Sequence, residues 1–317
     1  MKFKKFLSCA LAATFFSLSF SFSSVSAANE VKTPSDEVIF SNFEGDENFK
    51  KFMDSLPQKS GDYKSSQRPI MIEGAMNIEI DNFVKSLEKP VIYKFLNYVY
   101  FAGTYKNYPV IVARTEQGVG NAAVVTAVGI QKFNPIAVIN QGTAGAHIPS
   151  LHIGDIVIGE KIINAAAYKT EYAPAGAGIN LTSQEMRGTF AYNDKEKTFT
   201  INQEYLPDKN LLRIAENVAD TNKKYTVVKG TISSSDTWLS GIDHMKFLHE
   251  KYGSVCEEME EAAAAQMCKS SNVPFIGIRA ISNNITNGEQ HSPASSLSSQ
   301  SFVLLVVGKY IDELSKK

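Results

Sequence analysis

Four glutamates surround one methionine in the run Glu257-Glu258-Met259-Glu260-Glu261. Ionised carboxylates accept hydrogen bonds from hydroxyl groups and can also move protons. The run follows Ser254-Val255-Cys256, which has the composition of a buried strand, so part of the cluster should be recessed. The simpler alternative is that these glutamates are exposed to water at the start of the next helix, which is rich in alanine. The recessed arrangement predicts a site for a ligand that carries hydroxyl groups.

Two further polar positions follow apolar strands. Ser282 and Asn283 come at the end of the apolar stretch 274–281, and Glu79 comes shortly after the strand that ends in Gly74-Ala75-Met76. Open α/β sheets bind ligands at the carboxyl ends of their strands. A carboxylate at such a place can accept a proton from water. An ordinary first-turn glutamate that complements a helix dipole is the alternative for Glu79.

Trp238 is the only tryptophan of the chain and follows the polar segment 233–237. An exposed indole face can hold a flat base, and such stacking contributes ~1–3 kcal/mol. A tryptophan buried in the core is a common alternative. Two Gly-rich segments, 118–121 and 141–145, are predicted to be turns at strand ends, and each alone is a weak signal because glycine serves many tight turns.

Apolar strands alternate with helical patterns along most of the chain. The strands are apolar on both faces, which is typical of a mostly parallel sheet covered by helices on both sides. The sequence therefore predicts an α/β fold, a three-layer α/β/α sandwich with a mixed, mostly parallel twisted sheet. The predicted strands are 70–76, 110–114, 136–140, 154–163, 225–234, 254–258 and 274–281, and the predicted helices are 80–87, 118–132, 211–222, 242–251, 260–270 and 298–315.

The domain organisation is predicted in three parts. Basic residues at Lys2, Lys4 and Lys5, an apolar region to residue 22 and a small-residue site ending at Ala27 predict a signal peptide over 1–27. A membrane anchor is less consistent, because serines interrupt the apolar region and no second apolar span follows. We expect a polar extension over 28–68, with a short helix at 47–55, and one domain over 69–317 with an insertion near 170–207. The predicted signal peptide implies that the protein is exported and is either periplasmic or secreted.

The charge balance and the spacing of the histidines do not favour a nucleic-acid partner or a bound metal. Without residues 1–27, the chain carries 29 basic and 33 acidic residues, and this mildly acidic balance does not favour nucleic-acid binding. The histidines lack metal-ligand spacing, so no metal is expected. Cys256 and Cys268, the cysteines that remain after residue 27, are predicted to be free, buried thiols.

From about residue 70 to the last helix, the order of these motifs resembles the nucleoside phosphorylase/nucleosidase superfamily, closest to the methylthioadenosine/S-adenosylhomocysteine nucleosidases. This resemblance implies a purine nucleoside as ligand, no organic cofactor, and a homodimer. It implies that Glu79 activates the attacking water and that Glu260 binds the ribose hydroxyls. The other substrate-binding residues that it implies are Thr143, Trp238, Leu239, Glu258, Met259 and Ser282.

One departure concerns the leaving group. The nucleosidases carry an aspartate where this chain has Asn283, and that aspartate gives a proton to N7 of the departing purine. An amide can donate a hydrogen bond but cannot give up its proton, and general acid catalysis contributes ~10²–10⁴ in rate. Three alternatives follow: a preference for 6-oxopurines, slow hydrolysis of adenine nucleosides, or binding of nucleosides without turnover.

Water or phosphate could be the nucleophile in this superfamily. Phosphorolytic relatives bring arginines to the phosphate, which they bind through two hydrogen bonds each. The segment 141–145 contains no arginine, and Arg114 lies too early to be a clear phosphate ligand. The sequence therefore favours an N-glycosidase that uses water, with a phosphorylase as the alternative.

Overall fold

The structure is a computed structural model and describes residues 46–316. Its strands are β1 Gln58–Lys59, β2 Ile70–Gly74, β3 Glu88–Phe95, β4 Tyr98–Tyr105, β5 Tyr108–Arg114, β6 Ala137–Ala146, β7 Ile156–Asn164, β8 Tyr168–Lys169, β9 Glu185–Met186, β10 Thr189–Asn193, β11 Thr198–Asn202, β12 Glu204–Tyr205, β13 Val227–Ser234, β14 Ser254–Glu258 and β15 Phe275–Asn283. The α-helices are α1 Glu47–Ser55, α2 Asn77–Ser86, α3 Val119–Phe133, α4 Lys209–Thr221, α5 Ile242–Tyr252, α6 Glu261–Ser270 and α7 Ser296–Leu314. The predicted signal peptide lies outside the described residues.

Eleven of the strands form one mixed sheet. Strands β5, β2, β6 and β15 run parallel, while β3 and β4 add an antiparallel edge beside β5. On the other side the sheet closes on itself, because β6 pairs with both β14 and β15, and these connect through β13 and β7. The predicted mixed α/β sheet is confirmed, and the closed ring of five strands is an addition that the sequence did not predict.

Helices cover both faces of the sheet. Alternate residues of β2 show the division, since Ile70 and Ile72 belong to one buried cluster and Met71 to the other. The first cluster contains side chains from α1, α2, α4 and α7, and the second contains side chains from α3 and α6. Burial on both faces explains why these strands are apolar throughout. The predicted three-layer arrangement is confirmed.

The predicted turn at 141–145 is wrong. Strand β6 continues without interruption through this segment to Ala146, because β15 pairs with it as far as Gly145 and β14 pairs with Gly145 and Ala146. The antiparallel strands β3 and β4 were not predicted. The insertion near 170–207 contains the hairpin β10–β11, and the part of the polar extension that the structure describes contains α1, whose Phe49 is fully buried in the core.

Two expectations about the cysteines are confirmed. Cys256 lies on β14 and Cys268 on α6, and both thiols are buried and free.

No helix within 46–316 is long and apolar enough to cross a membrane. In the same range, no group of three or more His, Cys, Asp or Glu residues could hold a metal ion.

Candidate active site

The nine residues assigned to the site from the sequence all line one cavity. It contains about 680 Å³ of empty space, including its open mouth. The nine are Glu79, Thr143, Trp238, Leu239, Glu258, Met259, Glu260, Ser282 and Asn283. Segments that are distant in sequence therefore converge on one hollow, while the individual roles of the residues remain predictions.

Glu79 is fixed in the first turn of α2 by hydrogen bonds to both carboxylate oxygens. Its Oε2 accepts from the backbone N of Ala75 at 3.0 Å, and its Oε1 accepts from the N of Thr143 at 2.9 Å and from its Oγ1 at 3.0 Å. Burial raises the pKa of Glu79, although the Arg279 charge and the Thr143 bonds oppose the shift. A carboxylate with a raised pKa is a stronger base for a water molecule.

Glycine at position 142 makes room for that carboxylate. A Cβ at Gly142 would lie 2.9 Å from Glu79 Oε1. Because β6 continues past this point as a strand, Thr143 is held in register beside Ala280 of β15 and presents its N–H to Glu79. The Gly-rich segment thus positions the carboxylate through an extended strand and not through a turn.

Glu260 lies at the start of α6, where β14 ends. Its Oε1 accepts a hydrogen bond from the backbone N of Gly118 at 3.0 Å. Burial raises the pKa of Glu260 to about 8, and the neighbouring Glu258 adds to the shift. The Glu258 side chain turns back onto the chain, where its Oε2 accepts from the backbone N of Glu260 and of Glu261 at 2.8 Å each. The strand end is thereby locked, with Met259 and Glu260 on the cavity wall.

Arg279 lies behind the carboxylates, and only 1% of its surface is exposed to solvent. It donates to Glu261 Oε1 at 2.8 Å, to Glu258 Oε2, and to Asn140 Oδ1 at 2.7 Å. Since a buried guanidinium needs partners for its charge, these contacts explain why Glu258 and Glu261 are buried beside it. Arg279 was missed, although one charged residue within the apolar strand 275–281 is a readable signal.

The chain of buried polar groups continues beyond Arg279. Asn140 Nδ2 donates to Glu73 Oε2 at 3.0 Å, and Thr126 donates to Glu73 Oε1 at 2.8 Å. Burial raises the pKa of Glu73 to about 7. Glu73 was also missed, and it too is a lone charge within an apolar strand.

The opposite wall carries the groups predicted to hold the base. Trp238 is 44% exposed, so its indole is open to a ligand and does not belong to the core. Asn283 is the last residue of β15, and the Ser282 hydroxyl donates to its Oδ1 at 3.0 Å. With Oδ1 engaged in this way, the amide nitrogen is the group that Asn283 offers to a ligand.

Two further titratable residues of the cavity wall had no role in the sequence prediction. Glu257 and His291 both line the wall. Burial raises the pKa of Glu257, while burial lowers the pKa of His291. The position of Glu257 in a strand that alternates between two faces could have predicted its placement, but the lone His291 sits in an irregular segment without a pattern.

The cavity wall carries four glutamates and, among the described residues, neither lysine nor arginine. Arg114 is engaged elsewhere, since it donates to Glu116 at 2.8 Å and to Asn77 at 2.9 Å. Within residues 46–316, the cavity wall therefore offers acceptors for hydroxyl groups but no lysine or arginine for a phosphate.

Comparison with known proteins identifies the family of the chain. The family model described as "Phosphorylase superfamily" matches residues 69–304. The 5'-methylthioadenosine/S-adenosylhomocysteine nucleosidase of Bacillus licheniformis is 31% identical over 68% of this chain and 85% of its own length. The enzyme of the same name from Shewanella pealeana is 29% identical over 69% of this chain and 87% of its own length.

A solved structure shares the fold. The 5'-methylthioadenosine/S-adenosylhomocysteine nucleosidase of Neisseria meningitidis, in complex with methylthio-immucillin-A, aligns with a TM-score of 0.62 at 23% identity. The alignment covers 76% of this chain and 99% of the nucleosidase. The resemblance inferred from the sequence is confirmed: the chain belongs to the phosphorylase superfamily, in the branch that contains the 5'-methylthioadenosine/S-adenosylhomocysteine nucleosidases.

Proposed function

We propose that this protein is a purine nucleosidase, which hydrolyses the N-ribosyl bond of methylthioadenosine- or adenosylhomocysteine-like or related purine nucleosides. One observation carries the proposal: Glu79, Trp238 and Glu260 come from distant parts of the chain and line the same cavity. An open indole suits a purine, and a recessed carboxylate suits the paired hydroxyls of a ribose. The nucleosidase names of the relatives agree with this chemistry.

Hydrolysis begins at the carboxylate of Glu79. Its raised pKa lets it accept a proton from a water molecule that attacks the anomeric carbon. As the bond to the base breaks, positive charge develops on the sugar ring. In its ionised form, Glu260 stabilises that charge more in the transition state than in the bound substrate, which is the condition for a higher rate. Met259 packs against the sugar and helps to exclude water.

The leaving base is held by Trp238 and Asn283. Stacking on the indole orients the purine, and the Asn283 amide donates a hydrogen bond to N7. This bond stabilises the departing base without transferring a proton, so the predicted rate is lower than for an enzyme with an acid at the same position.

Water is the proposed nucleophile because the described cavity wall offers no cation for phosphate. The test mixes the purified protein with adenosine, methylthioadenosine, inosine and guanosine, with and without phosphate, and measures the free base and the sugar product by chromatography. We expect free base and free ribose (or the 5′-substituted ribose) without phosphate. Ribose 1-phosphate formed only with phosphate would instead identify a phosphorylase.

A nucleoside-binding protein without turnover is the second candidate, and Asn283 is the observation that favours it. Saturable quenching of Trp238 fluorescence by nucleosides, with no base released from any of them, would support this candidate over the enzyme.

Export and dimer formation are part of the proposal. The basic, apolar and small-residue segments of 1–27 support export, and the relatives' family supports a homodimer by analogy. N-terminal sequencing of protein recovered outside the cytoplasm should begin at Ala28, and light scattering should give twice the mass of one mature chain. An intact N-terminus beginning at Met1 or the mass of a single chain would contradict the respective expectation.

A further inference from the structure

The insertion near 170–207 carries an apolar surface that the proposed mechanism does not use. Strands β10 and β11 form a separate two-stranded hairpin, in which Phe190 pairs with Ile201 and Tyr192 pairs with Phe199. Residues directly opposite each other, and residues two apart along a strand, project to the same face of a sheet. The four side chains therefore share one face. In the described part of the chain, each of them is more than half exposed to solvent.

The four side chains form one continuous patch on the outer side of the hairpin. The ring centroids of Tyr192 and Phe199 lie 5.1 Å apart, and those of Phe190 and Phe199 lie 6.5 Å apart. Thr189 belongs to the opposite face, and its hydroxyl is hydrogen-bonded to that of the buried Tyr205 at 2.6 Å. The hairpin is thus attached to the body of the protein through its polar face, and its apolar face points outward.

An outward apolar face of this kind indicates a contact surface. A two-stranded hairpin by itself is only marginally stable in water, and large exposed apolar patches mark interaction sites. Half the area of three aromatic side chains and one isoleucine is on the order of 400 Å². Two such faces together would bury roughly 800 Å², which is less than the 1,200–2,000 Å² of a stable dimer, so the contact must extend beyond the hairpin. The same insertion also exposes Tyr172, Ile179 and Leu206.

The turn of the hairpin is complementary in charge to a second copy of itself. Between the two strands the chain reads Asp194-Lys195-Glu196-Lys197, and all four residues are exposed. If two hairpins stack face to face about a two-fold axis along their strands, β10 of one copy lies against β11 of the other. Asp194 then meets Lys197 of the second copy, and Lys195 meets Glu196 of the second copy. All four charges of each turn find an opposite charge.

We propose that the apolar face of the β10–β11 hairpin is a contact between two copies of this chain, related by a two-fold axis along the strands. The apolar side chains supply the affinity, and the exposed charges of the turn fix the register. An anionic lipid surface fits less well, because the two acidic residues of the turn offset its two lysines. The inference gives the expected homodimer a specific surface and does not depend on the nucleosidase activity.

The test reverses the charges of the turn in two ways. Lys195→Glu with Lys197→Glu makes the turn wholly acidic, and Asp194→Lys with Glu196→Lys makes it wholly basic. Sedimentation velocity over a dilution series gives the dissociation constant of the assembly. Each variant alone should bind itself about 10- to 100-fold more weakly than the wild type, because four attractive contacts become repulsive. An equimolar mixture of the two variants should associate at least as tightly as the wild type, which a misfolded hairpin could not do.

The matched control is Lys223→Glu with Lys224→Glu, two exposed lysines in the turn before β13. It changes the net charge as much as the acidic variant and should leave the dissociation constant unchanged. A wild-type dimer that both hairpin variants retain with equal affinity would overturn the inference and leave the expected homodimer intact. A wild type that stays monomeric at every concentration would overturn both, and binding of that monomer to phosphatidylglycerol vesicles would assign the face to lipid.

Discussion

At the scale of single residues, the chemistry depends on how burial and hydrogen bonding divide the work among several glutamates. Glu258 and Glu261 accept hydrogen bonds from Arg279, whereas Glu79 and Glu260 accept theirs from backbone N–H groups and from the Thr143 hydroxyl. The same residue type therefore serves as structural partner or as reactive group, depending on whether it is hydrogen-bonded to the buried cation. This division cannot be read from a run of four glutamates.

The substitution Glu79→Gln tests whether Glu79 is the general base. The amide keeps the size of the side chain but cannot accept a proton, so kcat should fall by about 10²–10⁴. Binding of the free base should change little, because Glu79 lies on the sugar side of the proposed ligand. Steady-state kinetics and Trp238 fluorescence give the two readouts. A variant that retains most of its activity would rule out Glu79 as the general base.

Asn283→Asp tests the account of the leaving group. An acid at this position can transfer a proton to N7 instead of only donating a hydrogen bond, and we expect hydrolysis of adenosine to become faster by about 10-fold or more. The measurement is the rate of adenine release under saturating substrate. An unchanged or slower rate would refute the role assigned to Asn283.

At the scale of elements, β6 is the part of the fold that organises the site. Its extension through 141–146 places Thr143 against Glu79 and Gly145 between β14 and β15. The glycines favour a turn when the sequence is considered locally. Pairing with β15 along the segment, and with β14 at its end, overrides that preference, and such pairing cannot be seen in the sequence without the partner strands.

Gly142→Ala tests this positioning. The new methyl group would lie 2.9 Å from Glu79 Oε1 and push the carboxylate from its place. A displacement of about 1 Å at a reacting group can cost on the order of 10²-fold, so kcat should fall strongly. Circular dichroism should show the fold retained.

The control for that variant is Gly120→Ala in the first turn of α3, where a Cβ would have no atom within 4 Å. Its activity and thermal midpoint should match the wild type. Equal activity of Gly142→Ala and Gly120→Ala would contradict the proposed function of β6 in positioning Glu79.

Sequence patterns predicted most helices and central strands, because an apolar run or a 3.6-residue period reflects burial directly. Strand β3 was missed because charged residues such as Lys89 and Lys94 interrupt its apolar pattern. Strand β4 was missed although its sequence contains no charged residue. The residues assigned to the site were chosen because the order of their motifs resembles a known family, and the structure places them around one cavity. Their supporting groups, Glu73 and Arg279, were missed, because their partners come from other strands.

At the scale of the whole molecule, a line of buried polar groups runs from Thr126 through Glu73, Asn140 and Arg279 to Glu258. It links the helix layer of α3 to the cavity through the centre of the sheet. Buried charges of this kind cost free energy unless every partner is present, so the stability of the fold should depend on the protonation of Glu73.

The folded pKa of Glu73 is raised from 4.5 to about 7, so its stabilising contribution is present below pH 4.5 and is lost as the pH rises through 7. Glu73→Gln imitates the protonated form. Between about pH 5 and about pH 8, the free energy of unfolding should fall less in the variant than in the wild type, by up to about 3 kcal/mol. Chemical denaturation at both pH values measures the difference. Parallel curves for both proteins would contradict the raised pKa.

The central claim is that water attacks the sugar of a purine nucleoside inside the cavity that Glu79, Trp238 and Glu260 line. The most direct test is mass spectrometry of the products formed from guanosine and from adenosine in phosphate-free, heavy-oxygen water. We predict ribose that carries one heavy oxygen and an unlabelled base, both greatly reduced in Glu79→Gln. Absence of labelled ribose with every nucleoside, or equal labelling by the variant, would contradict the account.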